Sequence, residues 1–144
     1  MKIGFTGTQT GMTEAQKNII KKILQTFNVA EIHSGDCIGA DADFYDIAFF
    51  LNLRCIGHIP NNDSKRAFKQ YNEICEPKPY LVRNWDIVNG SDLLLATPKE
   101  NEEQLRSGTW TTIRNAKKIG LPLIIVFPEG NWSAFNFKNL WKIN

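Results

Sequence analysis

Long apolar runs, frequent cysteines and a charge excess are all missing from this 144-residue chain. The longest apolar stretch, Leu121–Phe127, contains Pro122 and is far too short to cross a bilayer. Residues 1–9 lack the apolar core of a signal peptide. Three scattered cysteines without a CxxC pair exclude a disulfide-dense scaffold and favour a reducing compartment. We therefore expect a cytoplasmic protein without a membrane partner.

The charge balance also limits the partners. There are 17 basic and 15 acidic residues, and the resulting net charge of +2 gives no global attraction to nucleic acid. With 42% hydrophobic and 22% charged residues, the composition is typical of a globular protein. The length predicts a single domain that spans residues 1–144.

Short apolar segments alternate along the chain with segments of helical periodicity. The predicted strands are Lys2–Thr8, Val29–His33, Arg54–Pro60, Asp92–Thr97 and, as the last one, Leu121–Phe127. The predicted helices are a segment that a capping box starts at Thr13, then Gly39–Asn52, Tyr80–Asn89 and Thr109–Ile119. The polar stretch 61–79 gives no clear element, although Lys65–Asn72 is compatible with a helix.

The fold class follows from this alternation. The strands are continuously apolar, which is typical of strands buried on both faces of a parallel sheet. Helices between such strands cover both faces of the sheet. The sequence therefore predicts an α/β protein, a Rossmann-like three-layer sandwich with a mainly parallel sheet.

Three loops rich in glycine and small polar residues follow predicted strands: Gly7–Gly11, Ser34–Asp41 and Arg106–Thr109. In open parallel sheets, ligands bind where such loops lead from strand ends into helix N-termini. Glycine allows close approach of the backbone, and free N–H groups with the helix dipole attract phosphate. Each loop alone is also compatible with an ordinary turn, but three on one sheet edge favour an anion-binding cleft. Neither a Walker A motif nor GxGxxG is present.

These segments resemble the SLOG superfamily, which includes LOG-type phosphoribohydrolases, DprA proteins and putative molybdenum-cofactor carriers. The resemblance rests on short motifs across residues 1 to 130: Gly4-Phe5-Thr6-Gly7-Thr8, Ser34-Gly35-Asp36, Gly39-Ala40-Asp41, Arg83-Asn84, Asp92-Leu93-Leu94-Leu95-Ala96-Thr97-Pro98 and Ser107-Gly108-Thr109. It implies a Rossmann-like domain that binds a nucleotide or a nucleotide-derived small molecule, with phosphate near the glycine loops. It also implies a homo-oligomer. The aromatic tail residues either belong to that interface or close the core: Phe135, Phe137, Leu140 and Trp141.

The loops and the resemblance together give the candidate ligand-binding residues: Gly7, Thr8, Gln9, Gly35, Asp36, Gly39, Asp41, Arg83, Asn84, Ser107, Gly108 and Thr109. The Arg83 guanidinium suits bidentate phosphate binding. Asp36 and Asp41 either hold ribose hydroxyls or cap the following helix. Trp110 is the tryptophan best placed to stack on a base. No bound cofactor is predicted, and the spacing of His33 and His58 predicts no metal site.

Catalysis stays open at this point, because the LOG-type motif is incomplete. Its two glutamates fall on Thr111 and Thr112. The segment Lys99–Leu105 supplies Glu100, Glu102 and Glu103, which are either replacements for the missing acid or a solvated loop. We expect first a sensor or carrier module without fast turnover. The alternatives are an enzyme acting at a nucleotide N-glycosidic bond, through Glu102, Glu103 or Asp36, and a DprA-like binder of single-stranded DNA.

Overall fold

A computed structural model describes residues 1–138 of the chain. In this part, the strands are β1 (Lys2–Gly7), β2 (Glu31–Ser34), β3 (Arg54–Gly57), β4 (Glu73–Ile74), β5 (Leu93–Thr97), β6 (Leu123–Val126) and β7 (Trp132–Phe135). The helices are α1 (Glu14–Thr26), α2 (Ala40–Phe50), α3 (Tyr80–Asn89) and α4 (Gly108–Lys118). None of the helices in the described residues is long and apolar enough to span a membrane.

The strands form one sheet in the order β4-β3-β2-β1-β5-β6-β7, and only the β6–β7 pair is antiparallel. α1 and α2 cover one face, where the rings of Phe5 and Phe44 stack with centroids 4.2 Å apart. α3 and α4 cover the other face, where Ile87 and Ile113 pack against Leu94 of β5. The predicted three-layer α/β fold with a mainly parallel sheet is confirmed.

The predicted capping box at the start of α1 is present. Thr13 Oγ1 accepts a hydrogen bond from the backbone N–H of Gln16 (3.1 Å), and the Thr13 N–H donates to Gln16 Oε1 (2.9 Å). The buried Gln16 amide also donates to the carbonyls of Pro98 and Val126. One side chain therefore starts the helix and joins it to the carboxyl ends of β5 and β6.

The helix compatible with Lys65–Asn72 is not formed, so that interpretation was wrong. A short 3₁₀ turn, Asp63–Lys65, is followed by extended chain that leads to β4. The reason is the buried Asp36 carboxylate, which accepts hydrogen bonds from the backbone N–H groups of Phe68 (3.2 Å) and Lys69 (3.0 Å). Those donors are held by a side chain from another loop, which competes with helix formation.

The last strand that is clear in the sequence, within Leu121–Phe127, is present as β6, but a further strand was not predicted. This strand, β7, follows β6 and pairs antiparallel with it, with Trp132 opposite Val126. All four β7 residues are exposed, so the segment carries no buried-strand pattern. Phe135 and Phe137 of the predicted aromatic tail are exposed, whereas its Leu140 and Trp141 lie outside the described residues.

Candidate functional site

A cleft of about 570 Å³ opens beyond the carboxyl end of β1. The loop after β1, the N-termini of α2 and α4 and the first turns of α3 surround it. Ten of the twelve predicted ligand-binding residues line this cleft: Gly7, Thr8, Gln9, Gly35, Asp41, Arg83, Asn84, Ser107, Gly108 and Thr109. The strand topology thus brings the three glycine loops and α3 to one place.

The other two predicted residues, Asp36 and Gly39, lie outside the lining. Asp36 is fully buried at a φ of 57°, and its Oδ2 accepts from Arg66 Nε at 3.0 Å in addition to the backbone donors described above. Gly39 has a φ of 88°, and a Cβ there would collide with the backbone of Gln9. Both residues shape the loop after β2 instead of facing the cleft.

Arg83 reaches the cleft from the first turn of α3, but most of its donors are already engaged. Its Nη1 donates to the carbonyls of Gly35 (2.5 Å) and His58 (3.0 Å), and its Nε donates to Asn84 Oδ1 (2.9 Å). Nη2 lies 3.7 Å from the sulfur of Cys37. Arg83 is only 5% exposed, so its guanidinium forms the floor of the cleft and is only partly available for a ligand.

Asp41 lies beside Arg83 in the first turn of α2. Its Oδ2 accepts the backbone N–H of Cys37 at 3.1 Å, so its carboxylate closes the preceding loop, whereas the N-cap residue is Gly39. Burial raises the pKa of Asp41 to about 6, and the Arg83 charge opposes this rise. Burial and the Asp41 charge also raise the pKa of the Cys37 thiol, which argues against a nucleophilic thiolate there.

The opposite end of the cleft is the N-terminus of α4. Ser107 caps the helix by accepting the N–H of Trp110 (3.2 Å), while the N–H groups in the first turn have no partner within the helix. Gly108 faces open space, because a Cβ there would meet no heavy atom within 4 Å. The side chains of Lys99 and Arg106 line the same end. Neither forms an ion pair with another residue in the range 1–138.

Sequence reasoning missed several lining residues, because most of them come from segments without a motif. Phe5 and Thr6 lie within a motif but were not among the candidate site residues. Lys65 and Tyr80 are two of the missed residues: Lys65 Nζ donates to Gln9 Oε1 at 3.1 Å, and the Tyr80 ring lies 5.3 Å from the guanidinium carbon of Arg83. The others not singled out are Phe5, Thr6, Asn62, Ser64, Leu81, Ile87 and Lys99. Only the position of Tyr80 offered a weak signal. It is the first residue of a predicted helix, and the start of a helix at this sheet edge faces the cleft.

Among the glutamates considered for catalysis, Glu100 lines the cleft, and Trp110 Nε1 donates to its Oε1 at 3.1 Å. Glu102 and Glu103 do not line it, and Glu103 instead pairs with Arg114 at 2.7 Å. Trp110 itself is 4% exposed and packs in the core between α3 and α4. The indole N–H therefore orients Glu100, while the faces of the indole are covered by protein and are not open for stacking on a base.

The threonines at the positions of the LOG-type glutamates are turned towards their own helix. The Thr111 and Thr112 hydroxyls donate to the carbonyls of Ser107 (2.8 Å) and Gly108 (3.0 Å). They supply no acid or base to the cleft.

The two histidines, distant in sequence, meet beneath α3. His33 Nδ1 lies 2.7 Å from His58 Nε2, and His33 Nε2 lies 2.6 Å from Glu31 Oε2. Burial and the neighbouring His33 lower the pKa of His58 to about 4. Within residues 1–138, no three His, Cys, Asp or Glu side chains converge as metal ligands.

Comparison with solved structures finds the same fold. The X-ray structure of TM1055, a structural genomics target, matches with a TM-score of 0.63 and 11% identity, over 85% of this chain and 71% of that one. The molybdenum cofactor binding protein from the phototrophic bacterium Rippkaea orientalis matches with a TM-score of 0.67 and 19% identity, over 88% and 76%. Both likenesses support the Rossmann-like fold. No protein-family model and no curated protein matches the sequence significantly.

Proposed function

We propose that the cleft binds a nucleotide, or a nucleotide-derived small molecule, through its phosphate, and that the protein acts as a sensor or carrier. The observation that carries this proposal is the open N-terminus of α4. Its free N–H groups, at the positive end of the helix dipole, form the kind of site that binds phosphate. The position of Gly108, with open space where a side chain would be, lets a phosphate approach this backbone.

The charges around the cleft support an anionic ligand. The cations Lys65, Arg83, Lys99 and Arg106 line it, against the two acids Asp41 and Glu100. Because Lys99 and Arg106 are unpaired within the described residues and lie at the α4 end, they are available for a phosphate. The motif resemblance to the SLOG superfamily agrees with this proposal. One structural neighbour is a molybdenum cofactor binding protein, which fits a small-molecule ligand in this fold.

The test compares ligands with and without the phosphate on the unaltered protein. We expect AMP or GMP to bind at least tenfold more tightly than adenosine or guanosine, because an added charge-assisted contact is worth about 1.5–3 kcal/mol. The measurement is isothermal titration at low salt, with a thermal shift as a second readout. Equal affinity of nucleoside and nucleotide would contradict a phosphate site at α4.

A second candidate, cleavage of a nucleotide N-glycosidic bond, is favoured by Glu100. A carboxylate held by Trp110 in a cleft lined by cations has the chemistry to activate water or to stabilise a ribosyl cation. Release of free base from nucleoside monophosphates by the purified protein would support it. Glu100→Gln should then abolish release while nucleotide affinity stays within a factor of a few. If no nucleotide releases free base, the cleavage hypothesis is rejected and the binding function is retained.

A further inference from the structure

The deep end of the cleft holds a donor and an acceptor side by side. The Arg83 guanidinium and the Asp41 carboxylate converge on Gly35, where a Cβ would collide with Arg83 Nη1 and lie 3.0 Å from Asp41 Oδ2. Asp41 is 7% exposed, yet it lines the cleft. Within residues 1–138, the donors to this carboxylate all come from Cys37, through its backbone N–H and its thiol, so acceptor sites remain on the cleft side. A buried carboxylate with unfilled acceptor sites is costly unless a ligand supplies donors.

The distance from the phosphate site identifies the part of the ligand that reaches Asp41. Asp41 follows β2 and α4 follows β5, and these strands lie on either side of β1. Two strand spacings correspond to about 10 Å. In a nucleoside monophosphate, the ribose hydroxyls are too near the phosphate to span such a distance, whereas the far edge of the base extends towards it.

We propose that Asp41 and Arg83 select an aminopyrimidinone ring edge, the edge that guanine and pterins share. This inference rests on the phosphate-binding function proposed above. Such an edge presents a carbonyl acceptor beside a ring N–H and an exocyclic amino group. The carboxylate takes the two N–H donors, and the guanidinium donates to the carbonyl.

Other bases fit this pair less well. Adenine offers one exocyclic donor next to a ring nitrogen that is an acceptor, so a carboxylate oxygen would oppose a lone pair. Hypoxanthine keeps the carbonyl and the ring N–H but lacks the amino group. The raised pKa of Asp41 agrees with the inference, because N–H donors from a ligand would stabilise the charged carboxylate. Affinity for such a ligand should therefore increase as the pH rises through about 6.

The first experiment is titration of the full chain at pH 7.5 with GMP, IMP, AMP and dihydroneopterin monophosphate. We expect GMP to bind about tenfold or more tightly than IMP, which lacks the amino group that donates to the carboxylate. AMP should bind at least as weakly as IMP, because adenine lacks both the ring N–H and the carbonyl. Dihydroneopterin monophosphate tests whether the ring is a purine or a pterin. The ring system is that of whichever compound, GMP or this pterin, binds more tightly. Equal binding of all four overturns the inference but leaves the phosphate site standing. No binding of any of them overturns both.

The second experiment changes the acceptor to a donor. In Asp41→Asn, the amide oxygen can still accept the Cys37 N–H, so the conformation of the loop is retained. The amide NH₂ replaces the other carboxylate oxygen and donates where that oxygen accepted. XMP carries a carbonyl where GMP carries the amino group. The variant should therefore lose at least tenfold in GMP affinity and gain in XMP affinity, which a merely structural role of Asp41 would not produce.

The matched control is Asp46→Asn, which removes the same charge from the same helix. Asp46 is exposed and pairs with Lys69 at 2.9 Å, outside the cleft. This control should keep the preference for GMP over XMP. If both variants lose GMP affinity equally without gaining XMP, the effect is one of net charge, and the assignment of Asp41 is overturned.

Discussion

Two glycine loops at the same sheet edge serve opposite purposes. In the loop after β2, every added atom meets protein: a Cβ on Gly35 collides with Arg83, and one on Gly39 collides with the Gln9 backbone. In the loop before α4, a Cβ on Gly108 meets nothing. The glycines of the β2 loop allow protein to pack against protein. Gly108 instead leaves open space at the N-terminus of α4, where we propose that the phosphate binds.

The same contrast holds for the cations of the two loops. Arg83 reaches the β2 loop from α3; it is buried and donates to the carbonyls of Gly35 and His58. Arg106, at the α4 loop, is exposed and has no hydrogen-bond partner among the described side chains. Most of the Arg83 donors thus hold the cleft floor together and only part of its guanidinium is left for a ligand, whereas Arg106 has no partner among the described residues.

The largest expected effect is on stability, in Gly39→Ala. Its φ of 88° is unfavourable for any residue with a Cβ, and the backbone of Gln9 occupies the space. We expect the free energy of unfolding to fall by about 4 kcal/mol or more. Gly108→Ala, the control, should change it by less than about 0.5 kcal/mol. Chemical denaturation checks both, and similar losses in the two variants would refute the contrast between the loops.

A smaller loss is expected when the buried cation is truncated. Arg83→Ala leaves the carbonyls of Gly35 and His58 without their donor and should cost about 3 kcal/mol in unfolding free energy. Arg106→Ala should leave stability within about 0.5 kcal/mol while weakening nucleotide binding. Denaturation curves measured together with titrations separate the two roles. Stability that falls more in Arg106→Ala than in Arg83→Ala would reverse the assignment.

The smallest effect concerns the pH dependence of stability. His58 has a folded pKa of about 4, below the 6.5 of an exposed histidine, so the unfolded chain binds more protons between these values and stability rises with pH there. Asp41 acts in the opposite sense, because its raised pKa makes stability fall as pH rises from 3.8 to about 6. The two contributions oppose each other over most of this range.

His58→Gln removes one side of this balance. Between pH 4 and pH 6.5, His58 should raise the unfolding free energy of the unaltered protein by an amount on the order of 2 kcal/mol. The variant should lack this rise. Melting temperatures measured across that range give the difference directly. A difference that does not vary with pH would show that His58 titrates normally in the folded protein.

The sequence was sufficient for the central sheet because its strands are continuously apolar and its helices carry clear periodicity. The capping box at Thr13 and the helix Tyr80–Asn89 were predicted as they are found. β4 and β7 were missed since both are short edge strands with exposed side chains, so neither carries a burial pattern. The extended chain after residue 65 depends on the Asp36 carboxylate, a contact that no local pattern encodes.

For the cleft, the motifs predicted which loops meet but not which side chains face inward. Asp36 and Asp41 look alike in sequence, because both are acids in the glycine-containing segment 34–41. The fold buries Asp36 against Arg66 and leaves Asp41 on the cleft wall. Trp110 likewise belongs to the core because α4 packs on α3, and its indole instead places Glu100. Such orientations depend on tertiary packing, which spacing alone does not determine.

The most direct test of the central claim is the pair Gly108→Asp and Gly108→Ala, each titrated with GMP. A carboxylate at the first position of α4 interacts favourably with the helix dipole, so Gly108→Asp should fold as stably as the unaltered protein. It should nevertheless lose about 100-fold or more in GMP affinity, because it places a negative charge where the phosphate binds. Gly108→Ala should lose little by comparison. Unchanged affinity in a folded Gly108→Asp variant would place the ligand elsewhere and contradict the account.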